Sequence, residues 1–148
     1  MLAFRLFVGI LLLGLISTGC DQVPALDFSP QRPSVYGLDI SPDSLSAADL
    51  DSSLVQDSVA QVPVEVAVQA EDPDGEVERV VFTFEPSSNP RGAAFGQLEE
   101  RSEGTYGQRF GLSLPLRDEV YTVRVYAVDD DSLSSNQGIG RFRFSTEP

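Results

Sequence analysis

Apolar residues recur at every second position in several segments of the chain. Every even-numbered position of residues 62–70 is apolar, and the same alternation returns at Val80, Phe82 and Phe84. A period of two is typical of a β-strand with one buried face. Comparable segments lie at 35–40, 110–114, 121–127 and 142–144, and a weaker one surrounds Phe95. The pattern predicts an all-β chain of seven strands.

The spacing of these strands favours one architecture. Seven short strands within about 115 residues are typical of a sandwich of two antiparallel sheets rather than of a closed barrel. The segment 41–61 is rich in Ser, Asp and Ala, and we predict an irregular connection there between the first two strands. A short amphipathic helix over residues 44–55 is the alternative for this segment.

Two stretches carry a resemblance to a known group of domains. VEVAVQAEDPDGEVERVVFTF and YTVRVYAVDDDSLSSNQGIGRFRF resemble the B–C and F–G segments of bacterial immunoglobulin-like domains, which include fibronectin type III, polycystic-kidney-disease and cadherin-like modules. The resemblance implies a seven-stranded antiparallel sandwich. It also implies a tyrosine corner at Tyr121, in which the hydroxyl bonds an upstream backbone group. The chain has no Trp and a single Cys, which excludes the disulfide-bonded antibody branch.

The first twenty residues have the features of an export signal. The apolar run over 6–16 is too short for a membrane-spanning helix, which needs about 20 residues, but it suits the core of a signal peptide. The sequence STGC at 17–20 resembles the lipobox of bacterial lipoproteins, which implies that Cys20 is lipidated. Ordinary secretory cleavage would leave the same N-terminus without lipid. Lipidation is preferred because it accounts for an unpaired exported thiol.

The chain therefore divides into three parts. We predict a lipoprotein signal peptide at 1–19, a flexible Pro-containing tether at 20–33 and an immunoglobulin-like β-sandwich at 34–148. Several acyl chains on one cysteine would give a stable anchor. We expect the protein in the bacterial cell envelope, held on a membrane and facing the periplasm or the exterior.

Composition limits the chemistry and the partners of the chain. All 10 basic residues are Arg, against 23 acidic residues, so the net charge is −13 and nucleic acid is not expected as a partner. His and Lys are absent, which removes the usual bases for a Ser or Cys nucleophile and the usual ligands of zinc, copper and haem. Only carboxylate chemistry would remain, and adjacent strand residues such as Glu99 and Glu100 point to opposite faces. We expect no enzymatic activity.

One acidic loop raises the question of a metal. Residues 72–75, DPDG, match the residue preferences of a type I turn, and a second loop begins with DDD at 129–131. A sandwich places these two loops at the same end, where clustered carboxylates suit calcium, which takes roughly six to eight oxygen ligands. Solvated turns without metal are the simpler alternative. Calcium is therefore the candidate cofactor. Its candidate ligands are Asp72, Asp74, Asp129, Asp130 and Asp131.

These observations lead to one expected function and one alternative. The expected function is a non-catalytic interaction or structural module of the cell envelope, with another envelope protein as partner. The alternative is a carbohydrate-binding lipoprotein. Tyr126 is out of phase with the buried set of its strand, so we expect it to be exposed and able to stack on a sugar ring of a glycan.

Overall fold

The described part of the chain is built almost wholly from strands. A computed structural model describes residues 29–147. Its nine strands are β1 (Ser34–Ser41), β2 (Ser44–Ser46), β3 (Val55–Gln56), β4 (Val59–Glu71), β5 (Val77–Pro86), β6 (Ala94–Ser102), β7 (Thr105–Pro115), β8 (Glu119–Asp129) and β9 (Gly138–Ser145). Short 3₁₀ helices occupy Ala47–Asp49, Ser52–Leu54 and Pro90–Gly92. The all-β prediction is confirmed.

The strands form one continuous sheet that curls back on itself. They pair in the order β1-β4-β7-β6-β5-β8-β9-β2, and β3 lies beside β4. The pairings are antiparallel except for the parallel contact between β2 and β9. The two ends of this path approach each other, because Ile40 of β1 packs on Gly140 of β9, with its Cδ1 2.5 Å from the position of an ideal Cβ. The overall form is nearly barrel-like.

The structure has nine strands where the sequence predicted seven. The two additional strands, β2 and β3, lie in the segment that was predicted to be irregular. The alternative helix over 44–55 does not form. Instead, the side chain of Ser46 accepts a hydrogen bond from the Ala48 N–H, and that of Asp51 accepts one from the Ser53 N–H. Such local side-chain bonds compete with a continuous helix and limit this region to single turns.

The central strand β6 divides its pairing between two neighbours. Its first half pairs with β5, from Ala94 opposite Phe84 to Leu98 opposite Val80. Its second half pairs with β7, from Glu99 opposite Gly107 onward. One strand therefore connects the group formed by β1, β4 and β7 to the group formed by β5, β8 and β9.

The core lies between these two groups of strands. The even-numbered residues of β4 from Ala60 to Ala70 are all buried, as the alternation predicted. The Phe82 ring of β5 stacks on the Phe110 ring of β7, with centroids 4.9 Å apart, although the two strands do not pair. The remaining buried apolar residues include Phe84, Leu98, Leu112, Leu114, Val123, Val125, Ala127, Phe142 and Phe144. Each fully buried Phe stabilises the fold by about 2–3 kcal/mol.

The hydrogen bond that defines the predicted tyrosine corner is not formed within residues 29–147. Tyr121 is buried, as expected, and its ring packs against Phe142 at a centroid distance of 5.9 Å. Within residues 29–147, however, its hydroxyl makes no hydrogen bond. Tyr121 therefore contributes to the fold by packing.

One end of the fold is stabilised by the hydrogen bonds of a buried carboxylate at the start of β8. Glu119 is only 7% exposed. It accepts hydrogen bonds from the Ser88 N–H at 3.1 Å and from the Ser88 hydroxyl, and it pairs with Arg117 at 3.3 Å. Burial raises the pKa of Glu119, but these hydrogen bonds, together with that of the Val120 N–H and the Arg117 charge, outweigh burial and hold its pKa below the ordinary value.

The opposite end of the fold carries most of the candidate residues. The β4–β5 connection, the β8–β9 connection and the start of β1 all meet there, because Ser34 pairs with Glu71 and Val77 pairs with Asp129. We call this end the acidic pole, defined by Asp72, Asp74, Asp129 and Asp130. Within residues 29–147, no helix is long and apolar enough to cross a membrane.

Candidate functional site at the acidic pole

The β4–β5 connection is an open bend. Residues 72–76 link Glu71, the last residue of β4, to Val77, the first of β5. Within the described part of the chain, no backbone hydrogen bond joins Asp72 to Gly75, so the bonded form of a type I turn is not present. Open turns of this kind are common. The bend is instead held from the neighbouring loop.

Asp130 joins the two acidic loops. Its N–H donates to the Glu76 carbonyl at 3.2 Å, and its Oδ1 accepts from the Glu76 N–H at 3.3 Å. An ideal Cβ on Gly75 would lie 2.6 Å from Asp130 Oδ1 and 2.7 Å from Asp72 Oδ2. The two carboxylates therefore converge on the bare face of Gly75. A larger residue at this position would push them apart.

Asp129 is a buried carboxylate with one unused oxygen. It is 1% exposed. Its Oδ1 accepts a hydrogen bond from the Leu133 N–H at 2.7 Å, but within residues 29–147 its Oδ2 has no partner. Oδ1 of Asp72 is likewise inaccessible and has no partner in the same part of the chain. Buried polar atoms without a partner are rare because their desolvation is not compensated, so both oxygens call for an additional donor or a cation.

The electrostatics of the acidic pole are unfavourable for the carboxylates. Desolvation is the largest effect on Asp72 and raises its pKa. A hydrogen bond from the Asp74 backbone lowers the pKa, but the negative charges of Asp74 and Asp129 raise it, and it stays above the ordinary value. None of the four ion pairs formed within residues 29–147 involves a carboxylate of this pole. Like charges therefore meet here without an arginine to neutralise them.

The chain leading into β1 is fixed at the same pole. The N–H of Gln31 donates to Asp74 Oδ2 at 2.9 Å. A little further on, the side chain of Asn136 brackets Val35, accepting from its N–H and donating to its carbonyl, both at 2.9 Å. The end of the predicted tether is therefore bonded to the acidic pole.

The predicted calcium ligands are brought together only in part. Asp72 and Asp130 converge, and Asp72 interacts electrostatically with Asp74 and Asp129. Asp131 is exposed and makes no hydrogen bond or ion pair within residues 29–147. In that part of the chain, no group of three or more Asp, Glu, Cys or His side chains is arranged to hold a metal ion. The oxygen donors suit calcium, but their carboxylates would have to close further around the ion.

The second predicted binding residue, Tyr126, is half-buried rather than exposed. It lies on the outward side of β8, opposite Val81 of β5. On the same outward side, the most exposed large apolar side chains are Phe95 of β6 at 85% and Ile139 of β9 at 65%. Neither was selected from the sequence as a binding residue. The available signal for Phe95 was its position in GAAFGQ, where no other large apolar residue continues the alternation.

The signal peptide and the predicted lipidation site Cys20 lie outside the described residues. No protein-family model matches the sequence, and no curated protein matches it either. The function is therefore inferred from the residues of this chain alone.

Proposed function

We propose that the chain is a lipoprotein of the bacterial cell envelope, anchored through acyl chains on Cys20. Its immunoglobulin-like β-sandwich acts as a non-catalytic interaction or structural module, and calcium stabilises the acidic pole. The apolar run at 6–16 followed by STGC supports the anchor. The absence of His and Lys from the sequence supports a non-catalytic role.

The strand pairing supports the immunoglobulin-like sandwich. The divided pairing of β6 separates one group of strands, β1, β4 and β7, from a second group, β5, β8 and β9. The contact between Phe82 and Phe110 then joins facing layers of a sandwich. The chain also crosses between the groups near its start, because β1 pairs with β4 and the next strand, β2, pairs with β9. Two layers linked in this way are consistent with this fold.

The observation that carries the proposed function is the attachment of the tether to the acidic pole. Gln31 is bonded to Asp74 at this pole, whereas β9 ends with Ser145 at the opposite pole, beside Ser46 of β2. An anchor at Cys20 would therefore draw the acidic pole toward the membrane. The two broad faces of the fold would stand to the side, accessible to another molecule of the envelope.

Metabolic labelling tests the anchor. Cells expressing the wild-type protein are grown with radiolabelled palmitate and then fractionated. We expect label in the protein and recovery with membranes, and we expect both to be lost in Cys20→Ala. Mass spectrometry of the mature N-terminus separates the alternatives, because secretory cleavage leaves an unmodified Cys20. A wild-type protein with an unmodified Cys20 contradicts the lipoprotein proposal.

Calcium binding is assigned to Asp72, Asp74, Asp129 and Asp130. The supporting observation is the unpartnered Oδ2 of the buried Asp129, which lies close enough to Asp72 to affect its ionisation. A divalent cation would supply the missing partner and offset the repulsion among the four carboxylates. The test is a calcium-specific rise in melting temperature at fixed ionic strength, with magnesium as the comparison.

A further inference from the structure

One face of the fold differs in charge from the rest of the protein. We define the arginine face as the outward side of β5, β8 and β9 together with the first half of β6, from Ala94 to Leu98, which pairs with β5. Four arginines lie on it, namely Arg79, Arg124, Arg141 and Arg143. Glu78 pairs with Arg79 and Glu85 pairs with Arg124, each at 2.8 Å. The face is therefore net positive in a chain whose net charge is −13.

Two of these arginines have no carboxylate partner. Arg141 and Arg143 form no ion pair within residues 29–147. They project from the same side of β9 and line a cleft of about 360 Å³ together with Val120, Ser44 and Asp43. Asp43 is the carboxylate of this cleft, but it forms no ion pair with either arginine. The two unpaired cations repel each other. An acidic partner from outside the chain would neutralise both.

The same face also exposes large apolar side chains. The strand register aligns Phe95, Thr83, Arg124 and Ile139 in one row across β6, β5, β8 and β9. Since neighbouring strands are about 4.8 Å apart, Phe95 and Ile139 stand roughly 14 Å apart with Arg124 between them. The half-buried pair of Val81 and Tyr126 forms the adjacent row.

We infer that the arginine face is the docking surface of the proposed interaction module, and that its partner is an acidic protein surface with an apolar centre. This inference rests on the proposed role as an interaction module. Aromatic residues and Arg are enriched in protein interfaces, whereas Lys, Glu and Asp are depleted. Arg also forms bidentate bonds with carboxylates. Charge complementarity identifies the partner as acidic.

Two other occupants fit the face less well. A second copy docking face to face would place the unpaired Arg141 and Arg143 against arginines of the same face, which the like charges disfavour. An acidic glycan could bind the arginines and stack on Tyr126 or Phe95, but the other exposed apolar side chain, Ile139, is aliphatic. An aliphatic side chain gives a sugar no stacking face and no hydrogen bond, whereas it packs well in a protein interface.

Binding to synthetic polymers tests the inference. The processed chain, wild-type and Cys20→Ala in parallel, is titrated with a glutamate-rich copolymer containing tyrosine, with polyglutamate and with polygalacturonate. We expect the tyrosine-containing copolymer to bind most tightly, against the net charge of the protein. Equal affinities of the wild-type and Cys20→Ala chains show that copolymer binding does not depend on the lipid anchor. The lipoprotein proposal and the docking-surface inference can therefore fail separately.

Two pairs of substitutions locate the binding surface. Arg141→Glu with Arg143→Glu should weaken copolymer binding about tenfold or more, the effect expected from losing interface hot spots. Arg91→Glu with Arg109→Glu is the control. It makes the same charge change at exposed arginines that also lack ion pairs within residues 29–147. It should leave the affinity within about twofold of the wild-type value, since charges outside the interface contribute little. Thermal unfolding of each variant verifies that the fold is intact.

The outcomes separate the three possible occupants. A further loss of binding in Phe95→Ser supports a partner with an apolar centre, because Phe95 is exposed and its removal does not disturb the core. Equal or tighter binding of polygalacturonate overturns the inference in favour of a glycan. Concentration-dependent dimerisation in sedimentation that Arg141→Glu abolishes overturns it in favour of a second copy. An equal loss in the control pair, or no copolymer binding at all, also overturns it.

Discussion

Asp129→Asn distinguishes a cation site from an ordinary buried carboxylate. Asparagine has nearly the same shape as aspartate, and its Oδ1 can still accept the hydrogen bond from the Leu133 N–H that Asp129 accepts at 2.7 Å. The substitution replaces the unpartnered Oδ2 with a neutral amide group and removes the negative charge of Asp129, a charge that raises the pKa of Asp72. It therefore removes a buried charge and adds a donor.

The expected effect on stability without calcium is favourable. Relieving a buried unsatisfied oxygen is worth about 1–3 kcal/mol, so we expect Asp129→Asn to raise the free energy of unfolding by about 2 kcal/mol. For a domain of this size 1 kcal/mol corresponds to about 4 °C, so the melting temperature should rise by about 8 °C. Calorimetry or circular dichroism with a chelator present measures this rise.

Calcium should reverse the order of stability. At a calcium concentration a hundred times Kd, the wild-type protein gains about 2.7 kcal/mol, whereas Asp129→Asn should gain little because a charged ligand is gone. Asp131→Asn is the matched control, since it makes the same charge change at an exposed position of the same loop. All measurements are made at equal ionic strength, because salt alone screens repulsion in so acidic a protein.

One result would refute this reasoning directly. If Asp129→Asn lowers the melting temperature in chelator and the wild-type protein shows no calcium-specific rise, then the carboxylate of Asp129 is a structural acceptor and the acidic pole holds no cation. A calcium response that survives in Asp129→Asn but disappears in Asp131→Asn would place the site elsewhere in the loop.

Three further predictions concern individual positions. Gly75→Ala should change stability by less than about 1 kcal/mol yet weaken the calcium response, because a Cβ there separates the two converging carboxylates. Glu119→Gln should lower the free energy of unfolding by about 2 kcal/mol at neutral pH. Because folding lowers the pKa of Glu119, the stability advantage of the wild-type protein should disappear as the pH falls below 4.5. Acid unfolding curves of the two proteins measure this. Gly96→Val should lower the free energy of unfolding by about 1–3 kcal/mol, because its Cβ would lie 2.7 Å from the Phe82 ring. A lower midpoint in urea unfolding measures this loss.

The buried positions of the long strands were predictable from the sequence, because they follow the two-residue alternation of apolar side chains. The buried faces of β4 and β8 agree with the alternation, because each inward position in a strand must contact the core regardless of the neighbouring strands. The short strands β2 and β3 were not predictable in this way. Leu45 of β2 pairs with Phe144, about a hundred residues later in the chain, and local sequence carries little information on such a contact.

The acidic pole was predicted as a location, but its chemistry was not. The sequence brought both acidic loops to one end, and the structure agrees through the bonds between Asp130 and Glu76. Asp129 is in phase with the buried positions 121–127 of β8, but so is Asp131, and the sequence did not fix where the strand ends. It therefore could not separate the buried Asp129 from the exposed Asp131. The partial burial of Tyr126 was also missed, because the alternation along β8 does not show which residue of β5 lies opposite it, here Val81.

The divided strand β6 has a consequence for cooperativity. Its residues from Ala94 to Leu98 pair with β5, and those from Glu99 onward pair with β7. Neither group of strands can separate from the core without breaking one half of this strand. Hydrogen exchange of the β6 amides that are bonded to β5 or β7 should therefore proceed only through global unfolding. The protein should lose its structure in a single transition instead of losing one group of strands first.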